Sequence, residues 1–207
     1  MPPQILIADD HSIVRHGLSL MLRDMFPDAG IFFAVSFETL LQALAERKLT
    51  LAICDVNMPG CNTFHMVEII KQIQPELRII IYSAYSENLY ATRFIKAGAD
   101  MYLQKEVENQ DLINAIYSVV NGITPVVNTV NPAPGNGMTN PITLLSDREL
   151  EVTNLLVKGL GTSEICNVLD LGKTTVSTYK KRIYEKMRIS TIPELITIYR
   201  NYVNTVI

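Results

Sequence analysis

Three carboxylates, a hydroxyl and an amine stand at the ends of short apolar runs in the first half of the chain. Asp9 and Asp10 follow Ile5–Ala8, and Asp55 follows Leu51–Cys54. Ser83 follows Ile79–Tyr82, and Lys105 comes just after Met101–Leu103. Taken singly, each reads as a solvated polar residue opening a turn. Apolar runs of this length, stopped by breakers such as the Asn57-Met58-Pro59-Gly60 stretch, read as buried strands. If the strands are parallel, their carboxyl ends share one edge, where ligands and chemistry collect in open α/β sheets. Three carboxylates gathered there repel one another unless a cation or a proton intervenes. A hard cation with few protein oxygens and several waters fits Mg²⁺. A lysine and a hydroxyl facing the same spot suit a phosphoryl group. An aspartate that attacks phosphorus forms an acyl phosphate, a covalent strategy in its own right.

The elements that must hold these groups alternate in type. Val14–Met25 has apolar residues at helical spacing, and Ile31–Val35 is a second strand. Ser36 is placed to cap the helix whose apolar face is Leu40, Leu41 and Leu44. Phe64–Ile73 reads as helix with Pro75 past its end, Asn88–Ala97 as helix stopped at Gly98, and Leu112–Val120 as helix stopped at Asn121-Gly122. Five β/α repeats in this order predict an α/β doubly wound, five-stranded parallel sheet with right-handed crossovers. The near-continuous apolar strands predict helices on both faces.

Pro125–Asn140 carries three Pro, two Gly, four Asn and no charge, and with Pro141 it reads as a flexible linker. The expected division is residues 1–124, linker 125–141 and a second domain at 142–207. That second domain reads as all helix. Ser146 to Glu149 is a capping-box pattern before Leu150, Val152, Leu155 and Leu156. Thr162 can cap a short helix through Leu169, Gly172 precedes a longer helix over Lys173–Met187, and Thr191 to Glu194 forms another capping box before Leu195–Tyr202. In the longer helix Val176, Ile183 and Met187 share a face and read as core, whereas Ser177, Thr178, Lys181 and Arg182 point away. Small hydroxyls beside cations suit a helix laid in a major groove. Lys173 and Lys180, with Lys181, could contact phosphates, and Thr174 joins the same exposed set.

Charge is divided between the halves. Residues 1–124 carry nine Lys/Arg against fourteen Asp/Glu, net −5, whereas 141–207 carry nine against seven, net +2. A mildly basic second half makes nucleic acid a partner to consider. Hydrophobic residues make up 48% of the chain, enough for real cores, yet no apolar run approaches the ~18 residues of a membrane helix. Cys54, Cys61 and Cys166 and the three histidines are scattered without zinc-ligand spacing. Free cysteines and an N-terminus without a basic export signal predict a cytoplasmic protein with no membrane partner. Cys54 and Cys166 read as packing residues, and His11 as a loop residue near the acidic pair rather than a metal ligand.

The stretches IADDH, ICDVNMPG, IIIYSAYS and KAGADMYLQK resemble the receiver domain of two-component response regulators, whose fold is flavodoxin-like. LSDRELEVTNLLVKG, SEICNVL and TTVSTYKKRIYEKM resemble the LuxR-type four-helix helix-turn-helix of NarL/FixJ regulators. The resemblance implies Asp55 as phosphoacceptor. It implies an Mg²⁺ held by Asp10 directly, Asp9 through water, Asp55 and the backbone carbonyl of Asn57. Ser83 becomes the hydroxyl that closes on the phosphate, Lys105 its ion-pair partner and Tyr102 the aromatic that changes rotamer. A sensor histidine kinase and double-stranded DNA are the implied partners. One helix reads few base pairs, so a second copy of the chain on DNA is expected, with Leu195, Ile198 and Tyr202, at helical spacing in the last helix, as the candidate contact between copies. Glu106 stands where the family usually has Pro.

Two other classes compete. An aspartyl-phosphate phosphatase of the haloacid dehalogenase type places a second Asp two residues after the nucleophile, where this chain has Asn57, so turnover lacks its acid. An interaction module that had abandoned phosphorylation would not need Asp9, Asp10, Asp55, Ser83 and Lys105 together. The expected function is therefore a phosphorylation-dependent DNA-binding regulator, not an enzyme beyond catalysing its own phosphorylation and dephosphorylation.

Overall fold

The computed structural model describes residues 2–61, 64–123 and 140–203. Two compact units, Met1–Asn131 and Pro132–Ile207, divide the chain. Nearly all of the stretch expected to be a linker lies outside the described residues. At its end, the Asn140 side chain accepts from Ile142 N–H at 3.0 Å and caps a 3-10 turn at Pro141–Leu144.

The first unit is built of β1 (Gln4–Ala8), α1 (Ser12–Met25), β2 (Gly30–Ala34), α2 (Phe37–Glu46), β3 (Leu51–Cys54), α3 (His65–Ile73), β4 (Arg78–Ser83), α4 (Glu87–Ala97), β5 (Met101–Gln104) and α5 (Asn109–Val120). All strand pairs are parallel, in the order β2-β1-β3-β4-β5. The doubly wound five-stranded sheet is thus as the alternation of patterns predicts. Side chains alternate along each strand. Ile5, Ile7, Leu51, Ile53, Ile80 and Met101 pack with Leu18 and Leu22 of α1 and Leu112, Ala115, Ile116 and Val119 of α5. The intervening strand residues, among them Leu6, Ala52, Ile79 and Ile81, are also fully buried. Each of the larger aliphatic side chains contributes roughly 1.5–3 kcal/mol when taken out of water, which is why the interiors of these strands carry no charged residue.

Two local signals set where α2 and α4 begin and end. Ser36 accepts from Thr39 N–H, and Thr39 Oγ1 accepts from Ser36 N–H, a reciprocal cap on α2. Gly98 closes α4 at φ 110, a conformation that a Cβ would strain.

The second unit comprises the 3-10 turn, α6 (Asp147–Val157), α7 (Thr162–Leu169), α8 (Lys173–Met187) and α9 (Ile192–Val203). Ser146 and Glu149 form the expected capping box on α6. At α7 the expectation shifts by one residue. Gly161, not Thr162, is the cap, because Glu164 turns back and accepts from Gly161 N–H at 2.7 Å. Val176, Ile183 and Met187 are buried on the inner face of α8 as the spacing predicts. Leu195 corrects a second expectation. It is fully buried, so it belongs to the core of its own unit and is no contact between copies; Ile198 and Tyr202 are half-buried. A helix in a unit this small needs an apolar stripe for its own core before any partner can use one.

Candidate functional site: an acidic pocket with one lysine

Register brings the acidic residues together. Ala8 pairs with Cys54 across β1 and β3, and Asp55 N–H donates to Ala8 O at 2.7 Å. Asp9 and Asp55 therefore leave adjacent strands side by side, at the point where the sheet's winding reverses direction. Both residues are buried, at 2% exposure each, whereas Asp10 is more open. Ligand atoms of Asp9, Asp10, His11 and Asp55 all lie within 4.8 Å of one another. Two carboxylates at that separation repel by about 3–4 kcal/mol at an effective dielectric near 20.

Lys105 supplies the offsetting charge. Its Nζ donates to Asp9 Oδ2 at 2.7 Å and to Asp55 Oδ2 at 2.8 Å. Burial works to lower the ammonium's pKa, but the hydrogen bonds and charges of Asp55 and Asp9 outweigh it and hold Lys105 above its usual value. The lysine follows β5 directly: Lys105 N–H donates to Ser83 O at 2.8 Å, and Val107 N–H to Gln104 O at 3.0 Å closes the turn that contains Glu106. With Glu106 in the family's proline position, the ammonium still reaches both carboxylates.

Ser83 is fully buried at the end of β4, and its Oγ accepts from Tyr85 N–H at 3.2 Å. It is therefore engaged with its own loop rather than hydrogen-bonded to the Asp55–Lys105 pair. Tyr102 is buried, stacked on Phe94, and its hydroxyl donates to Tyr85 O at 2.8 Å. Burial, with smaller repulsion from Glu87, Tyr85 and Asp55, raises the Tyr102 phenol despite a lowering hydrogen bond with Ser83, so it remains a donor at neutral pH. Asn57 is exposed, and its N–H donates to Asp55 Oδ1 at 3.3 Å.

Several contributors carry no local sequence signal. The Tyr85 hydroxyl donates to Asn57 Oδ1 at 2.7 Å, tying the loop after β4 to the loop after β3. Arg15 Nη1 donates to Asp9 O at 2.7 Å. His11 lies beside the acidic pair, as its place after Asp9 and Asp10 predicts, with Nδ1 2.7 Å from Asp10 Oδ1 and 3.2 Å from Asp9 Oδ1. Cys54 is buried in β3, and burial pushes its thiol well up, so it is inert packing. Cys61 Sγ packs 3.3 Å from Met66 Sδ.

In the helical unit, Lys173, Thr174, Ser177, Thr178, Lys181 and Arg182 are exposed along α8, and Lys180 is half-buried with its ammonium 5.6 Å from the Tyr184 ring centre. Lys186 is different in use. Its Nζ donates to the buried Glu149 at 2.6 Å and ties α8 to α6.

A parallel sheet with an aspartate–lysine pocket, joined to a helical unit with a basic exposed helix, defines a signalling receiver attached to a DNA-binding module. Residues 5–117 match the family described as response regulator receiver domain, and residues 143–199 match bacterial regulatory proteins of the luxR family. The chain belongs to the two-component response regulators that carry a LuxR-type DNA-binding domain. It is similar to the Fimbriae Z protein of Escherichia coli strain K12, 30% identical over 205 residues that cover 97% of this chain and 98% of the relative. It is also similar to the response regulator GacA of Pseudomonas viridiflava, 30% identical over 201 residues, 93% of this chain and 92% of that one. Among solved structures, RcsB from Salmonella enterica serovar Typhimurium bound to promoter P1flhDC shares the fold with a TM-score of 0.76 at 23% identity, over the whole of both chains. Among the described residues, no helix is long and apolar enough to cross a membrane.

Proposed function

We propose that Asp55 accepts a phosphoryl group from a phosphohistidine on a sensor histidine kinase, and that the modification controls DNA binding by the helical unit. The observation that carries this reading is the buried Asp55 carboxylate paired with Lys105 at 2.8 Å, beside Asp9 and Asp10. Asp55 attacks phosphorus, the P–N bond breaks, and the imidazole leaves with the electron pair. Lys105 then pairs with the phosphoryl oxygens, and Ser83, whose oxygen accepts from Tyr85, turns its hydroxyl proton from Tyr102 toward them. Tyr102, here buried with its hydroxyl on Tyr85 O, is the aromatic whose rotamer is coupled to the Ser83 loop. The hard oxygen donors of Asp9, Asp10 and Asp55, with the Asn57 carbonyl, fit Mg²⁺. When bound, Mg²⁺ neutralises charge on the phosphoryl oxygens.

The reading divides the chain into a receiver at 1–124, a flexible linker at 125–141 and a DNA-binding domain at 142–207, acting in the cytoplasm. The helical unit binds double-stranded DNA through Lys173, Thr174, Ser177, Thr178, Lys180, Lys181 and Arg182 on α8. One such helix reads few base pairs, so two copies on two half-sites give useful specificity.

Acetyl phosphate with Mg²⁺ tests the assignment. Intact mass shows one added phosphate, absent in Asp55→Asn and absent with a chelator. Modification that persists in Asp55→Asn removes the assignment.

A further inference from the structure

Two residues other than glycine have positive φ among the described residues, Asp170 and Arg188. An aspartate tolerates this conformation through its short polar side chain, whereas an arginine has no such compensation. Arg188, at φ 54 and ψ 47, ends α8 in a Schellman arrangement: Ile189 N–H donates to Tyr184 O at 3.0 Å and Arg188 N–H to Glu185 O at 3.3 Å. Glycine or asparagine is the usual occupant of such a position. The Arg188 side chain is exposed and makes no side-chain hydrogen bond or ion pair among the described residues, so no polar contact within the unit accounts for the choice of arginine.

Its placement offers an account. Ser177, Lys181 and Tyr184 recur at i, i+4 and i+7 on one face of α8, which Arg188 continues as the cap residue just past the last turn. The face lines a cavity of about 520 Å³ together with Lys180, Glu185 and Ile189. Three cations surround an apolar floor of Tyr184 and Ile189. Glu185 is the one carboxylate there, and it lies 3.8 Å from Lys181. Ser177 and Arg188 are about 16 Å apart along the axis, more than the about 12 Å width of the major groove. A helix whose Ser177 end reads base edges therefore brings Arg188 to the flanking strand.

We infer that Arg188 contacts a backbone phosphate of the DNA at the edge of the groove, with the adjoining deoxyribose against Tyr184 and Ile189. This rests on the proposal that α8 lies in the major groove, and extends the contact surface two turns beyond Lys181. The left-handed backbone is retained at Arg188 because the charge is needed where glycine would fit better.

The test uses the full chain and two labelled duplexes, one selected from a random pool and one scrambled, with affinity followed against salt. Arg188→Gly weakens binding to both duplexes by about 3- to 10-fold and lowers the salt slope by about one. The same variant raises the melting midpoint of the helical unit by about 3–6 °C, because the strained conformation is relieved. Arg188→Lys keeps the parent's salt slope. Parent-like affinity and slope in Arg188→Gly, with Lys181→Ala weakened, overturns this inference and leaves the major-groove reading intact. Parent-like behaviour in both variants overturns both. Loss confined to the selected duplex with an unchanged slope assigns Arg188 to a base and overturns the phosphate contact.

Discussion

Lys105 Nζ lies 2.8 Å from Asp55 Oδ2, and the same ammonium lies 2.7 Å from Asp9 Oδ2. A side-chain cation thus occupies oxygens of two of the three carboxylates proposed to hold Mg²⁺, and the two cations compete. Lys105→Met removes one competitor. Mg²⁺ then binds about tenfold more tightly, the worth of one charge-assisted hydrogen bond. In chelator, the variant melts lower than the parent, because two buried carboxylates have lost their partner, and its midpoint climbs more steeply with added Mg²⁺. Titration calorimetry and melting curves measure both effects. Equal Mg²⁺ affinity in variant and parent shows that lysine and metal use separate oxygens.

Ser83→Ala separates modification from response. Removing Oγ leaves Tyr85 N–H without its 3.2 Å acceptor, at a cost of about 1–3 kcal/mol in receiver stability. Asp55 remains modifiable by acetyl phosphate, but the gain in DNA binding shrinks, since the hydroxyl's bond to the phosphoryl group exists only in the modified state. An undiminished gain in the variant contradicts this role.

Three residues on α8 respond differently. Lys181→Ala weakens selected and scrambled duplexes alike and lowers the salt slope by about one. Ser177→Ala changes preference at one or two base positions by ~1–3 kcal/mol with little change in slope. Lys186→Met leaves the slope alone and lowers stability by about 1–3 kcal/mol, because the Glu149 carboxylate keeps only its capping partners. A slope change in Lys186→Met would place that lysine on the DNA.

Acid sensitivity of the receiver is traceable to Asp100. Its Oδ1 accepts from Arg78 at 2.7 Å, and Oδ2 accepts from Ile79 N–H at 2.9 Å and Lys71 at 3.1 Å. Burial works to raise the carboxyl, yet these donors hold it below its ordinary value. A depressed folded-state value stabilises the fold above the unfolded pKa of about 3.9 and is lost as pH falls through the lower folded value. Asp100→Asn therefore destabilises at pH 7 by about 1–3 kcal/mol, and the gap to the parent narrows below about pH 4. Urea unfolding at neutral and acidic pH reads the gap; one that stays constant rules the carboxylate out.

What is written locally was legible in the sequence. Strand and helix periods, the Ser36 and Ser146 caps, the Gly98 stop and the buried stripe of Val176, Ile183 and Met187 depend on neighbours a few residues away. The sheet class and the strand-end positions of Asp9, Asp55, Ser83 and Lys105 followed from them. Pairing over long separations did not. Lys105 is 96 residues from the Asp9 it neutralises, and only the β1–β3, β3–β4 and β4–β5 registers bring the two together. The Tyr85–Asn57 bond, the Asp100 cluster and the Lys186–Glu149 tie join side chains that no spacing rule connects. Leu195 shows the same limit from the other side. Its helical spacing marked an apolar face, and tertiary packing decided that the face belongs to the unit's own core, because periodicity records that a residue is to be buried and not against what.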